Sequence, residues 1–210
     1  MGNWLAEKLP TILQEGEWQQ IRLRPERSAA DNLFLALSRK YPELHLEQTA
    51  EGEIEIMAPT GGESGHRNFD LTTQVGTWAK EDGEARGFDS STGFVLPNGA
   101  KRSPDVSWVR RERLAALTAE QKQKFLPLCP DFVVGLRSST DSLPDLEAKM
   151  DEYSANGARL GWLIDPDNRR VRVYRPGREP ETLDSPATLS GDPELPGFTL
   201  DLQEIWEPDI

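Results

Sequence analysis

The sequence predicts a fold of the α/β or α+β class, with a central β-sheet and helices on its faces. Residues 131–137 (DFVVGLR) form an almost continuous apolar run, which is typical of a central strand buried on both faces. A helical pattern follows, with Asp141 or Ser142 as its cap and an end near Asn156. Another apolar strand is expected at residues 159–164. A strand, a crossover helix and a second strand indicate a sheet covered by helices.

The N-terminal part is expected to hold short elements. Residues 4–14 fit a short helix interrupted by Pro10, and residues 18–23 alternate enough for a strand. Asp31 is expected to cap the next helix, whose apolar positions repeat at helical spacing before an end near Tyr41; they are Leu33, Phe34 and Leu37.

A hairpin and a longer helix are expected next. Residues 44–48 and 53–58 flank a short turn, and Ile54 and Ile56 alternate with acids, which predicts a hairpin with one solvent-exposed face. A Pro-Thr-Gly-Gly break then precedes a helix over residues 63–82, whose apolar stripe is formed by Leu71, Val75 and Trp78.

Two strands, over residues 87–96 and 103–109, are expected to pair around the turn Pro97-Asn98-Gly99. Two short helices at 111–117 and 118–124 lead to the central strand. A strand at 170–174 and short edge strands with a tail rich in Pro, Gly and acids end the chain. The expected organisation is a single domain over residues 1–210, made of an N-terminal extension (1–43), a core (44–175) and C-terminal edge strands with a tail (176–210).

Composition narrows the function. The net charge of −12 argues against a broad nucleic-acid-binding surface, although carboxylates suit a metal site. The single cysteine, Cys129, excludes an intramolecular disulfide and a multi-cysteine zinc site, and it is expected to be a buried structural thiol. Neither a signal peptide nor an apolar run of about 18 residues is visible. We expect a cytoplasmic protein with no membrane association.

Three residues around the central strand suggest phosphodiester chemistry. Asp105 begins a mostly apolar strand, and Lys149 lies at the border of the apolar face of the crossover helix. Arg137 follows Gly135 by two residues and suits a phosphate contact. A carboxylate can hold a metal that activates water, and a nearby lysine can orient that water. Each also has a structural interpretation, Asp105 as a turn residue and Lys149 as a lysine lying along the apolar face.

Glu63 and His66 lie on the first turns of the helix over residues 63–82. The helix dipole, which favours an acid at the N-terminus, is the favoured explanation of Glu63 over a catalytic role. His66 is a candidate for a phosphate or water contact, or a structural residue.

At these residues the chain resembles the Uma-type restriction endonucleases, a bacterial group of the PD-(D/E)XK nuclease superfamily. The resemblance covers residues 54–174 in order. Its pieces are APTGGESGHRN, SSTGFVLPNGAKRSPDVSWV, PDFVVGLRSSTDS, and KMDEYSANGARLGWLIDP followed by RRVRVYRP.

This resemblance implies a restriction-endonuclease-like core with a mixed sheet, Mg²⁺ or Mn²⁺ dependence, a DNA substrate and a homodimer. Asp105 matches the family's aspartate, and Glu63 matches an acid on the early helix, so both are implied as metal ligands and catalytic residues. Lys149 resembles a displaced form of the catalytic lysine. Gly135 stands where the family usually has glutamate.

Gly135 leaves three explanations open. The protein is a degenerate, inactive member of the family, or another carboxylate such as Glu63 holds the metal with Asp105, or the chain is an altered form of an active enzyme. Two functions follow: a metal-dependent DNA endonuclease with weak or absent cleavage, and a non-catalytic module that binds DNA or protein. A domain that acts through protein contacts alone is the third alternative.

Overall fold

The computed structural model describes residues 20–210 of the chain. The helix expected at residues 4–14 therefore lies outside the described residues. Within the described part, no helix is long and apolar enough to cross a membrane. The elements in chain order are β1 (Gln20–Leu23), α1 (Arg27–Lys40), β2 (His45–Gln48), β3 (Ile54–Met57), α2 (Gly62–Asp82), β4 (Ala85–Asp89), β5 (Phe94–Val95), β6 (Lys101–Arg102), β7 (Val106–Arg110), α3 (Arg111–Ala115), α4 (Ala119–Lys122), β8 (Phe132–Leu136), α5 (Leu143–Ala155), β9 (Leu160–Asp165), β10 (Arg170–Tyr174), β11 (Glu181–Asp184), β12 (Thr188–Ser190), β13 (Thr199–Asp201) and α6 (Gln203–Trp206).

These elements form two compact units. As far as it is described, the smaller unit comprises residues 20–59 and Asn98–Arg102. The larger unit comprises Thr60–Pro97 and Ser103–Ile210. The boundaries expected from the sequence, at residues 43 and 175, stay predictions.

The smaller unit contains the expected hairpin, since β2 and β3 pair in antiparallel fashion. The expectation that one face of this hairpin is exposed to solvent is wrong. Glu47 and Glu55 are only 3% and 4% exposed. The Arg102 guanidinium lies 3.0 Å from the Glu47 carboxylate and 2.9 Å from that of Glu55. Because an arginine supplies several donors to both acids, the acidic face is buried instead of hydrated.

Helix α1 begins before the expected cap. Its N-cap is Glu26, so Asp31 lies inside the helix and the expectation that Asp31 is the cap is wrong. Two alanines among residues 27–30 favour an earlier start, and Ala30 is buried. The Asp31 carboxylate instead pairs with Lys101 Nζ at 2.6 Å.

The larger unit is built on a six-stranded mixed sheet in the order β11-β10-β9-β8-β7-β4. Strands β8 and β9 are parallel and are joined by α5, while the other neighbours are antiparallel. The predicted central strand and crossover helix are therefore confirmed.

The two faces of this sheet carry different helices. Leu71, Val75 and Ala79 of α2 belong to one core cluster with inward residues of β7, β8 and β9. On the other face, a Cβ built on Gly135 would lie 3.5 Å from Met150 Sδ of α5. Helix α2 ends at Gly83, whose φ of 76° suits glycine.

The strand expected over residues 87–96 is divided into β4 and β5. Asp89 Oδ1 accepts hydrogen bonds from the Ser91 amide at 3.1 Å and from Ser91 Oγ at 2.6 Å, which turns the chain. Strand β4 still pairs with β7, as the sequence predicts.

The C-terminal segment contributes to the core, which the sequence did not predict. The Phe198 ring lies 5.1 Å from that of Trp78 and 6.0 Å from that of Trp162. Other fully buried side chains of this segment are Leu195, Leu200, Leu202 and Ile205.

Candidate functional site

Asp105 lies at the beginning of β7 and is held by two elements. Its Oδ2 accepts a hydrogen bond from the Leu136 amide of β8 at 2.7 Å. Its Oδ1 accepts one from Asn68 Nδ2 of α2 at 3.2 Å. Val106 pairs with Val134, so the register continued by one residue sets Asp105 opposite Gly135. The carboxylate is thus oriented at the end of two central strands.

Asn68 is a site residue that the sequence analysis missed. It lies three residues before Leu71 and seven before Val75, on the apolar stripe of α2. Its Oδ1 accepts a hydrogen bond from Thr72 Oγ1 at 3.4 Å. A polar residue that continues an apolar helical stripe was the signal, because such a side chain faces the sheet and needs a partner there.

Gly135 leaves room for a side chain. A Cβ built on it would lie 3.4 Å from Leu163 Cδ1 and 3.5 Å from Met150 Sδ, which are close to ordinary contact distances. The glycine backbone itself supplies no carboxylate beside Asp105. The Cβ of a larger residue is therefore accepted at this position without displacing the backbone.

Lys149 lies on the side of α5 that is turned away from Glu147. Met150 lies under β8, and Glu147 reaches the other way to β10, where it pairs with Arg172 at 2.7 Å. Successive helical residues are rotated by about 100°, so Glu147 and Lys149 project on opposite sides of Met150. Lys149 is half-buried.

Glu63 and His66 belong to other faces of α2. Glu63 is exposed, and its carboxylate lies 3.3 Å from the Arg67 guanidinium. Five residues separate Glu63 from Asn68, a rotation of about 140° around the helix. His66 Nε2 lies 3.7 Å from a carboxylate oxygen of Glu204 on α6. Neither side chain shares the face that holds Asp105.

Arg137 is engaged next to the sheet end. Its Nη1 donates a hydrogen bond to Asp165 Oδ2 at 2.8 Å, and Asp165 is only 4% exposed. Since breaking such a pair would leave a buried charge, the guanidinium has a structural task at this position.

Comparisons with known proteins show the family and the fold of the chain. The model of the Uma2 family, described as “Putative restriction endonuclease”, matches residues 31–203. The chain belongs to the Uma2 family. The match starts earlier and ends later than the resemblance in the sequence.

A solved structure has the same fold as this Uma2 chain. It is the crystal structure of a protein described as “a putative nuclease belonging to DUF820” from Anabaena variabilis ATCC 29413. The TM-score is 0.67 at 22% sequence identity, over 78% of this chain and 90% of that chain. No curated protein matches the chain significantly. The predicted nuclease-like mixed fold is confirmed.

The donor set of this Uma2 chain does not fit the divalent metal that the fold implies. Among the described residues, no group of three His, Cys, Asp or Glu side chains could hold a metal ion. Asp105 supplies one carboxylate at the sheet end, and Gly135 opposite it supplies none. Mg²⁺ is usually bound through one or two carboxylates together with waters and substrate phosphates. The site is therefore short of a ligand at position 135.

Proposed function

We propose that this Uma2 chain is a DNA endonuclease of the PD-(D/E)XK type whose site is impaired at Gly135, so that cleavage of the chain as it stands is weak or absent. The observation that supports this proposal is the carboxylate of Asp105. It is held at the start of β7 by the Leu136 amide and by Asn68, directly opposite Gly135. Two hydrogen bonds to one carboxylate orient it for a task beyond ending a strand.

The proposed roles follow the positions of the side chains. With a carboxylate restored at position 135, Asp105 would be the other carboxylate that holds Mg²⁺ or Mn²⁺, the metal would supply activation of a water, and Lys149 of α5 would be the candidate to orient that water. Glu63 is the weaker candidate for a second carboxylate, because it is exposed and paired with Arg67 on another face of α2. Arg137 and His66 stay candidates for phosphate contacts. A homodimer acting on both DNA strands in the cytoplasm completes the proposal.

Restoring a carboxylate at position 135 tests this proposal. We expect Gly135→Glu to gain Mg²⁺- or Mn²⁺-dependent cleavage of plasmid DNA over the unsubstituted chain, because the new acid lies opposite Asp105. A single well-placed catalytic group typically contributes about 10²–10⁴-fold. The measurement is conversion of supercoiled plasmid to nicked and linear forms.

Matched variants control for the shape of the new side chain and for cleavage by contaminating nucleases. Gly135→Gln has the same shape without the charge, and it is expected to cleave far less than Gly135→Glu. Asp105→Ala in the Gly135→Glu background is expected to abolish the gain. If Gly135→Glu shows no metal-dependent gain and Asp105→Ala changes nothing in either background, the nuclease proposal is wrong.

A non-catalytic module that binds DNA or protein is the second candidate function. The observation that favours it is that, among the described residues, no group of three His, Cys, Asp or Glu side chains could hold a metal ion. Calorimetry with Mn²⁺ separates the two functions. A working site binds Mn²⁺ and loses it on Asp105→Ala, whereas a module without a metal site gives the same heats for both proteins.

A further inference from the structure

A cleft of about 350 Å³ lies beside Asp105, between α2 and the ends of β4 and β7. Thr72 lines it and hydrogen-bonds to Asn68, the residue that holds Asp105. Val106, the residue after Asp105, lines it as well. The cleft therefore begins next to the candidate catalytic carboxylate.

The cleft is kept open by two glycines. Gly76 lies in the interior of the 21-residue helix α2, where glycine is the least favourable residue after proline. Among the described residues, no atom outside its own part of the helix lies within 4 Å of a Cβ built on Gly76. Space around its Cβ thus does not require this glycine, and Gly76 is one of the residues that line the cleft.

Gly87 of β4 completes the floor of the cleft. A Cβ built on it would lie 3.7 Å from the Gly76 Cα, so the two backbones approach closely. Both glycines line the cleft, and Gly87 is exposed. Without side chains at these two positions, neither α2 nor β4 fills this part of the cleft, and the backbones beside it are accessible to a ligand.

The remaining lining sets the chemistry of the ligand. Val106 is apolar, whereas Thr92 and Asp89 add a hydroxyl and a carboxylate. Ser91 and Thr92 engage Asp89 Oδ1. Because an ionised carboxylate accepts at about four lone-pair sites, Asp89 keeps acceptor capacity for a ligand. A planar ring that carries N–H donors at its edge fits this lining.

We propose that the cleft binds one nucleobase with an exocyclic amino group, extruded from the DNA strand beside the phosphate at Asp105. This inference rests on the proposed function for the identity of the polymer. Enzymes that read an extruded base use hydrogen bonds to its edge and contact with its face. Carboxylates accept from the amino group of cytosine, which thymine lacks.

Nucleoside titration of the unsubstituted protein tests the proposal without cleavage. In nitrogen-15 NMR spectra, 2′-deoxycytidine and 2′-deoxyadenosine are expected to shift the Gly76 and Gly87 amides in a saturable manner. Thymidine is expected to bind about tenfold more weakly, the effect of one lost charge-assisted hydrogen bond. Asp89→Asn is expected to weaken the binding of 2′-deoxycytidine about tenfold for the same reason.

Two leucine variants form a matched pair. Gly76→Leu fills the cleft and is expected to abolish nucleoside binding while raising the thermal midpoint by about 2–4 °C, since leucine favours the helix. Gly65→Leu lies on the same helix outside the lining residues, where the nearest described atom to a built Cβ is Thr60 Cγ2 at 3.9 Å. It is expected to bind 2′-deoxycytidine normally.

Absence of binding, equal binding by both leucine variants, or equal binding of thymidine and 2′-deoxycytidine would overturn the proposal. Cleavage by Gly135→Glu tests the proposed function separately, so either proposal can fail while the other stands.

Discussion

The register of the β7–β8 pair, continued by one residue, sets Asp105 opposite Gly135, and the proposed function depends on the difference between these two residues. The carboxylate of Asp105 receives two donors, and hydrogen bonds to charged groups contribute roughly 1.5–3 kcal/mol each. Gly135 contributes no ligand and, within a strand, costs about 0.5–1 kcal/mol relative to alanine. Stability therefore does not explain the glycine.

The environment of Cys129 predicts how its thiol reacts. The thiol is buried, as expected from the sequence, and burial raises its pKa to about 12. Because the thiolate is the reactive form, Cys129 is expected not to react with Ellman's reagent at pH 8 in the folded protein. In urea the unfolded protein is expected to react with one equivalent of Ellman's reagent per chain, since the sequence has one cysteine.

The direction in which stability changes with pH follows from the raised pKa of the Cys129 thiol. The contribution of the neutral thiol to stability is fully present below the unfolded pKa of about 8.5. It is lost as the pH rises from there through about 12, the pKa of the folded protein. Rapid reaction of the native protein at pH 8 would contradict the burial of this thiol.

Helix α2 links the C-terminal segment to the candidate site. Gln74 and Asp201 exchange two hydrogen bonds, of 3.0 Å and 2.9 Å, between α2 and β13. Arg67 donates to the Ile205 carbonyl of α6 at 2.8 Å. Asn68, on the same helix, holds Asp105. The elements after β11 thus support the helix that orients the carboxylate.

Removing the Phe198 ring is expected to show how much the stability of the fold depends on the C-terminal segment. Its ring lies between Trp78 and Trp162 in the core, so Phe198→Ala is expected to lower the free energy of unfolding by about 3–5 kcal/mol. The measurement is urea denaturation followed by tryptophan fluorescence. Ile210→Ala, at a C-terminal residue that is 69% exposed, is the control and is expected to change stability by less than about 0.5 kcal/mol. Equal midpoints for the two variants would show that the segment is a dispensable tail.

The whole molecule carries a net charge of −12, so its long-range field repels DNA and the proposed binding of DNA depends on a local region. A single unit charge at 4 Å in water contributes about 1 kcal/mol, which is about fivefold in affinity. The position of a charge relative to the bound DNA therefore affects the affinity more than the net charge of the protein does.

Two charge-neutralising variants test where DNA binds. Asp105→Asn is expected to bind a DNA duplex about fivefold more tightly than the unsubstituted chain without divalent metal, because one repulsive charge is removed from the proposed site. Glu181→Gln removes the same charge from β11, at the opposite edge of the sheet from β4, and is expected to change affinity much less. Fluorescence anisotropy at low salt measures both. Equal affinities would contradict DNA binding at Asp105.

The sequence by itself determined the order of the main helices and strands between α1 and β10, the central position of β8 and the family. Apolar periodicity is a local property that the chain shows directly, and β8 is apolar throughout its five residues apart from Gly135. The same local patterns identified Asp105 at a strand start and Lys149 at the border of an amphipathic helix.

Only the tertiary structure decided which distant residues meet. Asn68 and Asp105 are 37 residues apart in the chain, and Arg102 reaches Glu47 across 55 residues. The cleft at Gly76 and the burial of Phe198 depend likewise on how α2 packs on the sheet. Local periodicity tells which face of an element is buried, whereas the partner on that face is chosen by packing.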